Sequence, residues 1–227
     1  MCMLKFEKIY TNQDICDIII VIFMEKIKTS LINKKYREVV FELLSMLRSH
    51  SEESYIHSVD VANKSHALAI VFNIGGEELE RLYTASLLHD IGKLCVEKKI
   101  LHNQNATIEE RDTIRFEHIE GTKNILSEYF DDDFVRLAVH HHERLNCSGY
   151  PEHLNAKNLD ILDRILQVAD VTSALEMPRC YKDAYDAKQV TDILDNLVKK
   201  GELDKRCVKE IEKILYNHSK DKIQKNL

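Results

Sequence analysis

The sequence contains few of the residues that make turns. Six glycines and two prolines occur among 227 residues, which is too few for the many short strands and tight turns of a β-sandwich or barrel. Apolar residues nevertheless make up 44% of the chain. This content is sufficient to bury the core of one large domain or of two small ones.

Long apolar runs and an excess of positive charge are also missing. The longest uninterrupted apolar run extends over residues 18–24, whereas a helix that crosses a bilayer needs roughly 20 residues. The formal net charge is −6, so no broad basic face is expected for duplex nucleic acid. We therefore expect no membrane and no duplex nucleic acid as partners, and any phosphate must be recognised by a few locally placed cations.

Paired cysteines and a secretory signal are absent as well. The N-terminus has no basic stretch followed by an apolar run and a small-residue cleavage site. The six cysteines are scattered and never form a C-x-x-C pair; they are Cys2, Cys16, Cys95, Cys147, Cys180 and Cys207. This pattern is typical of reduced thiols, so the sequence predicts a cytoplasmic protein without a thiolate zinc site.

Helical periodicity covers most of the chain, and no alternating strand pattern is found. Helices are predicted at 13–28, 35–49, 52–73, 77–91, 107–128, 131–143, 159–176, 187–200 and 204–217. The expected fold is all-α, with residues 51–227 forming one helical bundle. Residues 1–50 are predicted to be a short helical lead-in that packs on the bundle or, alternatively, mediates dimerisation.

Ionisable side chains lie on helix faces that should be buried. Asp90 and Asp170 each stand in an apolar stripe of a predicted helix. Histidines at inward positions are His57, His89, His118, His141 and His142. Taken singly, such a histidine is usually a hydrogen-bonded core residue, and such an aspartate can cap a helix or pair with an arginine. Together they are too many for one interior unless a compensating charge is present, and a cluster of divalent metal ions supplies it.

The ligand types limit which metals and which reactions are expected. Imidazole and carboxylate groups without thiolate suit iron, manganese or zinc. An aspartate between two histidine-rich sets can bridge two ions, because each of its oxygens can bind one. Two adjacent ions activate a water and stabilise the attacking and leaving oxygens of a phosphoryl centre, so the pattern favours phosphoester hydrolysis.

Four sequence elements resemble the HD-GYP subfamily of the HD-domain phosphohydrolases. They are H-D-I-G-K at 89–93, H-H-E-R at 141–144, G-Y-P at 149–151 and R-I-L-Q-V-A-D-V at 164–171. The resemblance extends from about residue 51 to residue 186. Members of this subfamily are bacterial signalling phosphodiesterases that hydrolyse cyclic di-GMP, and some act on other cyclic dinucleotides. The resemblance implies an HD-domain helical bundle and this activity.

The resemblance also implies roles for individual residues. The implied metal ligands are His57, His89, Asp90, His118, His141, His142 and Asp170, with Asp90 as the bridging and catalytic carboxylate. Two divalent ions are expected, iron or manganese, with a third if Glu53 is a ligand rather than a first-turn acid of its helix. Lys93 is expected to contact a substrate phosphate and stabilise developing charge, or else to be only a cation at a helix end.

Substrate contacts beyond Lys93 are implied for Tyr150, Arg179 and Lys182, although the last two residues can also be read as a solvated surface pair. Glu143 is expected to orient a neighbouring histidine or arginine. The remaining histidines are predicted at the surface: His50, His66, His102, His140, His153 and His218.

The chain departs from the subfamily pattern on the substrate side. Asn146-Cys147-Ser148 replaces the usual D-G-x before G-Y-P, and an R-P-Y-R element is altered by Cys180 and Lys182. Cysteine lacks the freedom of glycine at positive φ, and lysine lacks the planar fork of arginine. The predicted function is a metal-dependent phosphodiesterase acting on a cyclic dinucleotide, with cyclic di-GMP the expected substrate. The alternatives are a broader HD phosphohydrolase and a catalytically weak nucleotide-binding signalling module. The candidate protein partners are a second copy of the chain, in a homodimer, and a separate sensor protein.

Overall fold

The fold is known from a computed structural model that describes residues 27–103, 105–177 and 184–225, with side chains described as far as Asn217. These residues form helices and no sheet strand, which confirms the all-α prediction. The α-helices are α1 (Arg37–His50), α2 (Glu52–Val71), α3 (Gly76–Leu88), α4 (Lys98–Leu101), α5 (Ile108–Ser127), α6 (Asp132–Val139), α7 (Ile161–Glu176), α8 (Ala187–Lys199) and α9 (Lys205–Lys225).

Short polar side chains start the helices. Thr107, Asp160 and Asp186 each accept a bond from the backbone N–H three residues later, and an acid or amide there bonds back to the cap. Asp131 accepts a bond from the Phe134 N–H at 2.9 Å, as its position before α6 predicts. Such caps satisfy N–H groups that have no partner inside the helix.

Two predicted helices are shorter than expected and one is longer. Helix α3 ends at Leu88 and is followed by a 3-10 turn at Ile91–Cys95, while α6 ends at Val139 and tightens into a 3-10 turn at His140–His142. Helix α9 continues to Lys225 rather than ending near 217. Its extension follows from composition, because the chain has no glycine or proline after Gly201 to end it.

The core forms where α2, α3 and α7 pack together. Val61, Leu68, Leu82 and Ile165 are fully buried there. The described part of the lead-in is joined to this core: Ile27 and several apolar residues of α1 are buried, and the Lys28 N–H donates to the Tyr83 hydroxyl at 2.8 Å. The division at residue 50 stays a prediction, as does the helix at 13–28, which falls almost entirely outside the described residues.

None of the helices within the described residues combines the length and the apolar character that crossing a membrane requires.

The surface prediction for His140 is wrong. Its side chain is buried, and its Nδ1 lies 3.4 Å from Asp163 Oδ1 on α7. The prediction placed His140 above Arg136 on an outward face, but the 3-10 turn changes the direction of the side chain, and Arg136 itself faces Asp163. His102 and His153 are exposed, and His50 and His66 are partly exposed. The side chain of His218 is outside the described residues.

Candidate metal centre

A buried polar centre lies where the ends and faces of five helical elements meet. It contains all seven side chains predicted as metal ligands. His57 comes from α2, His89 and Asp90 follow α3, His118 comes from α5, His141 and His142 follow α6, and Asp170 comes from α7. His57, His89, Asp90, His118, His141 and Asp170 are buried, and His142 is partly exposed.

The potential ligand atoms form two groups of three. His57, His89 and Asp90 make one group, and His118, His141 and His142 make the other. Within each group, one ligand atom per residue lies within 4.8 Å of the others. Each group has the composition and spacing that could hold one metal ion.

The two oxygens of Asp90 face different groups. Oδ2 lies 3.4 Å from His89 Nε2 and 3.8 Å from His57 Nε2. Oδ1 lies 3.9 Å from both His118 Nε2 and His141 Nε2. The carboxylate therefore stands between the groups, in the position that a bridging ligand requires.

Asp170 also lies between the groups. Its Oδ1 is 3.0 Å from His57 Nε2 and 3.8 Å from His89 Nε2, while its Oδ2 is 3.7 Å from His142 Nδ1. A second carboxylate in this position was not assigned a bridging role from the sequence, because the stripe pattern gives burial but not which neighbours each oxygen meets.

Backbone carbonyls orient three of the imidazoles. Nδ1 of His89 lies 2.8 Å from the Ser86 carbonyl oxygen, and Nδ1 of His141 lies 2.6 Å from that of Ala138. Nδ1 of His118 lies 2.6 Å from the Ile114 carbonyl oxygen. A carbonyl only accepts hydrogen bonds, so Nδ1 must carry the proton in each ring and Nε2 keeps its lone pair. This arrangement is the one that metal-ligating histidines use.

The lone pairs of these three rings face the centre without a partner. Among the described residues, the Nε2 atoms of His89, His118 and His141 are buried and accept no hydrogen bond. An unpartnered buried polar atom costs about 1–3 kcal/mol, and three converging on two carboxylates form a donor set that fits divalent ions. The residues present therefore fit the metal cluster that the sequence pattern predicts.

Burial and charge shift the pKa values in opposite directions across the centre. Burial lowers the pKa of His141 to about 3 and that of His142 well below its usual value, and it also lowers the pKa of His118. Burial alone would raise the pKa of Asp90, but the Lys93 ammonium and His89 hold it well below its usual range. The centre thus keeps its carboxylates ionised and the imidazoles of the second group neutral, which are the forms that bind metal.

At His89 the effect of nearby charge on the pKa exceeds the effect of burial. Burial disfavours its charged form, yet the carboxylates of Asp90 and Asp170 outweigh burial and raise the His89 pKa. Its Nε2 lies 3.4 Å from Asp90 Oδ2 and 3.8 Å from Asp170 Oδ1.

Two glycines allow the backbone of α5 to lie against the turn that follows Asp90. A Cβ on Gly121 would lie 2.9 Å from the Gly92 carbonyl oxygen and 3.0 Å from the Gly92 Cα, and a Cβ on Gly92 would collide with the His118 carbonyl. The Thr122 hydroxyl accepts from the Gly92 N–H at 3.0 Å and donates to the His89 carbonyl at 3.1 Å. This close approach sets the distance between His118 and Asp90.

Lys93 and Glu53 lie differently with respect to the centre. Lys93 Nζ bonds Asp90 Oδ2 at 2.6 Å, so its ammonium lies at the centre itself. Glu53 is in the first turn of α2, one turn before His57, but belongs to neither group of three. Its role as a third-metal ligand stays a prediction.

The loop that carries Tyr150 is held by a buried carboxylate. The Glu143 side chain is fully buried and accepts from the Glu152 N–H at 2.6 Å and the Leu154 N–H at 2.9 Å. The expectation that Glu143 orients a histidine or arginine is therefore wrong, because its carboxylate binds the loop backbone. Cys147, in the same loop, has φ +65°, so this residue adopts the left-handed conformation for which a glycine would be the easier choice.

The ring of Tyr150 packs on the centre and on α5. Its centroid is 4.7 Å from that of His142, and the Arg115 guanidinium lies 4.5 Å from the Tyr150 centroid. Arg115 and its neighbour Phe116 were not predicted as site residues, because both are on the exposed face of α5. The Ser173 hydroxyl, 3.0 Å from His57 Nδ1, was not predicted as a partner of that histidine either.

The predicted substrate contacts Arg179 and Lys182 lie outside the described residues.

Comparison with known proteins gives matches over most of the chain. A family model described as HD domain matches residues 42–207. A 3′3′-cGAMP-specific phosphodiesterase of Vibrio cholerae is 32% identical over 163 residues, which cover 71% of this chain and 38% of the relative. A cyclic di-GMP phosphodiesterase of Pseudomonas aeruginosa is 32% identical over 151 residues, which cover 65% of this chain and 36% of the relative. The chain thus spans little more than a third of the length of these relatives.

A solved structure shares the fold. The HD domain of the L. monocytogenes phosphodiesterase PgpH, in complex with cyclic-di-AMP, matches with a TM-score of 0.58 at 18% identity. The match covers 77% of this chain and 93% of that chain. At this identity the likeness shows the common fold and no more.

Proposed function

This chain belongs to the HD-domain family, and we propose that it is a metal-dependent phosphodiesterase that hydrolyses a cyclic dinucleotide. One observation carries the proposal: buried, unpartnered imidazole nitrogens in two groups face opposite oxygens of Asp90. Relatives named as phosphodiesterases of 3′3′-cGAMP and cyclic di-GMP support the substrate class. We propose cyclic di-GMP as the first substrate to test.

We assign the metal ligands to the seven side chains of the centre, with two ions of iron or manganese. Divalent ions held there would supply Lewis-acid activation of a water and of the phosphoryl oxygens. Asp90 and Asp170 would keep the two groups at a fixed separation, because each carboxylate has one oxygen on either side. Glu53 is assigned to a third ion only if metal analysis gives three per chain.

Lys93 is proposed to stabilise the charge that develops on the phosphate. Its ammonium is 2.6 Å from Asp90 Oδ2, and the side chain is about one fifth exposed. A lysine stem is flexible, so the ammonium can move from the carboxylate to a phosphate oxygen that enters the centre. A cation placed there in advance stabilises a transition state in which negative charge grows on the phosphoryl oxygens.

Tyr150 is proposed to form one wall of the phosphate site. Its ring is fixed against His142 and beneath Arg115, and burial raises the pKa of its phenol, so the hydroxyl stays protonated and can donate to phosphate. We also propose that Arg179 and Lys182 contact the substrate. A cytoplasmic location and a homodimer or sensor partner are further proposals.

The test combines metal analysis with a substrate panel. Protein purified without oxygen and without chelator, then reconstituted with iron or manganese, is analysed for metal and incubated with cyclic di-GMP, 3′3′-cGAMP, cyclic di-AMP and bis(p-nitrophenyl) phosphate. We expect about two ions per chain and hydrolysis of at least one cyclic dinucleotide, with chromatography separating linear dinucleotide from mononucleotide products.

Matched histidine variants connect the activity with the centre. His141→Gln removes a ligand from the second group and should lower kcat at least about 100-fold with loss of metal. His102→Gln changes an exposed histidine that is not among the proposed ligands and should leave both kcat and metal content unchanged. Turnover of the aryl ester alone would indicate the broader phosphohydrolase, and cyclic dinucleotide binding without any turnover would indicate a binding module.

A further inference from the structure

Three side chains form a rim beside the metal centre, and we refer to Arg115, Phe116 and Tyr150 as the aromatic rim. The Arg115 guanidinium lies 4.5 Å from the Tyr150 ring centroid, and the Phe116 centroid lies 6.4 Å from it. Tyr150 comes from the loop after His142, whereas Arg115 and Phe116 come from α5, so the rim joins two separate parts of the chain.

Both parts of the aromatic rim adjoin a proposed metal ligand: the loop residue adjoins His142, and the two α5 residues adjoin His118. The Tyr150 ring packs on the His142 ring at 4.7 Å. Arg115 and Phe116 stand within one helical turn of His118 on α5. A molecule bound at the centre and larger than a single phosphate would therefore meet the rim.

The rim residues of α5 are open to solvent although one is a large apolar side chain. Phe116 is 60% exposed. The Arg115 side chain is 51% exposed and pairs with Asp112 at 3.2 Å, which holds the guanidinium beside the ring of Tyr150. An exposed aromatic ring next to an oriented guanidinium can bind a nucleotide, because every base has a face that stacks on an aromatic ring and an arginine fork matches a phosphate.

The covalent structure of the substrate class leaves groups available for such a second contact. A cyclic dinucleotide has two phosphates and two bases on one ring, so when one phosphate is at the centre the other phosphate and at least one base lie outside it. Lys93 is already engaged at Asp90 and serves the phosphate under attack. A cation further out can bind the second phosphate, and Arg115 lies against the Tyr150 ring that packs on His142.

We propose that the aromatic rim is a second binding subsite, in which Arg115 binds the phosphate that is not cleaved and Phe116 stacks on a nucleobase. This inference rests on the proposed function, since it assigns the part of a cyclic dinucleotide that lies outside the centre. It makes the rim a determinant of substrate size: a cyclic dinucleotide uses it, and a small aryl phosphodiester does not.

Four variants test the subsite. Arg115→Gln removes the charge, and Lys123→Gln removes one exposed charge elsewhere on α5 as its control. Phe116→Leu keeps an apolar side chain but removes the ring, and Phe116→Trp keeps a ring as its control. Each is measured for kcat and KM on the cyclic dinucleotide that the wild type prefers and on bis(p-nitrophenyl) phosphate. Calorimetry gives the Kd of a phosphorothioate analogue of the dinucleotide, a readout independent of turnover.

We expect Arg115→Gln and Phe116→Leu each to raise the Kd and the dinucleotide KM about 5- to 10-fold. The losses should be smaller on the aryl ester, where Arg115→Gln acts only through its contact with the Tyr150 ring. The two control variants, Lys123→Gln and Phe116→Trp, should stay within about twofold of the wild type on both substrates. Equal losses on both substrates would show that the variants distort the centre, and unchanged dinucleotide binding would show that the rim holds nothing; either result overturns the inference. A wild type that hydrolyses none of the cyclic dinucleotides overturns the proposed function instead.

Discussion

The close contact between Gly121 and Gly92 leads to a sharp prediction for the variant Gly121→Ala. The new Cβ would lie 2.9 Å from both the Gly92 carbonyl oxygen and Cys95 Sγ, and 3.0 Å from the Gly92 Cα. Two of these atoms belong to the backbone, which cannot rotate away as the end of a side chain can. Helix α5 and the turn after Asp90 must therefore separate to admit the methyl group.

Two opposing effects decide how much the Gly121→Ala substitution changes the free energy of unfolding. Alanine in a helix interior is favoured over glycine by about 1 kcal/mol, so helix propensity alone predicts a more stable protein. Overpacking of a tight contact costs about 1–3 kcal/mol and sometimes more, and the Thr122 hydrogen bond to the Gly92 N–H resists the separation. Because the contact involves rigid backbone, we take the overpacking cost from the upper part of this range, about 2–3 kcal/mol, and expect a net loss of about 1–2 kcal/mol in the free energy of unfolding.

Thermal unfolding of the metal-free protein, followed by circular dichroism, measures this loss. For a chain of this size the midpoint should fall by about 2–8 °C. The control is Gly75→Ala: Gly75 has extended backbone before α3, and a Cβ there would meet nothing within 4 Å. Gly75 is the N-cap of α3, where alanine is the poorer residue, so this variant should lose up to about 1 kcal/mol without any change in metal affinity. Metal affinity should fall in Gly121→Ala alone, because His118 moves with α5.

A Gly121→Ala protein that is as stable as the wild type, or more stable, would refute this reasoning. It would mean that helix propensity outweighs the contact and that the spacing between His118 and Asp90 does not depend on the glycine pair.

Three further predictions concern other buried groups. The unfolded chain binds a proton at His141 below about pH 6.5, whereas burial lowers the pKa of this residue in the folded chain to about 3. The free energy of unfolding of the metal-free protein should therefore decrease as the pH is lowered from about 6.5 to about 3, by up to about 1.4 kcal/mol per pH unit. Urea titrations measure this slope, and His141→Gln should reduce it. Glu143→Gln should lower the free energy of unfolding by about 2–3 kcal/mol, because an amide nitrogen would face a loop N–H such as that of Leu154; unchanged urea unfolding would contradict the loop contact. Burial raises the pKa of Cys207 to about 12, so iodoacetamide at pH 8 should label exposed Cys147 in the native protein and Cys207 only after unfolding, as peptide mass spectrometry can check.

The helices could be predicted from the sequence because their signals are local. A capping residue such as Thr107 or Asp186 and an apolar period of 3.6 residues are both readable within one segment. The exact ends near His89 and His140 were less predictable. There the helix changes to a 3-10 turn because of contacts with other helices, and this change buried a histidine that the helical period assigned to solvent.

The candidate ligands were predictable for a different reason. A polar group such as Asp170 or His57 in an apolar stripe is an anomaly that the sequence itself displays. Arg115 and Phe116 display no anomaly, since a charged and an apolar residue on an exposed helix face are common. Their relation to Tyr150 depends on where a loop from another part of the chain comes to lie, and no local pattern encodes that position.

The hydrogen bonds that orient His89, His118 and His141 have a consequence for how the centre is assembled. Each Nδ1 donates to a carbonyl three or four residues earlier in its own segment. Every such ring is aimed by the same helical turn that carries it, and this can happen before distant segments arrive. Assembly of the bundle then only has to bring ready-made donors together, so a packing error displaces a ring without changing which of its nitrogens faces inward.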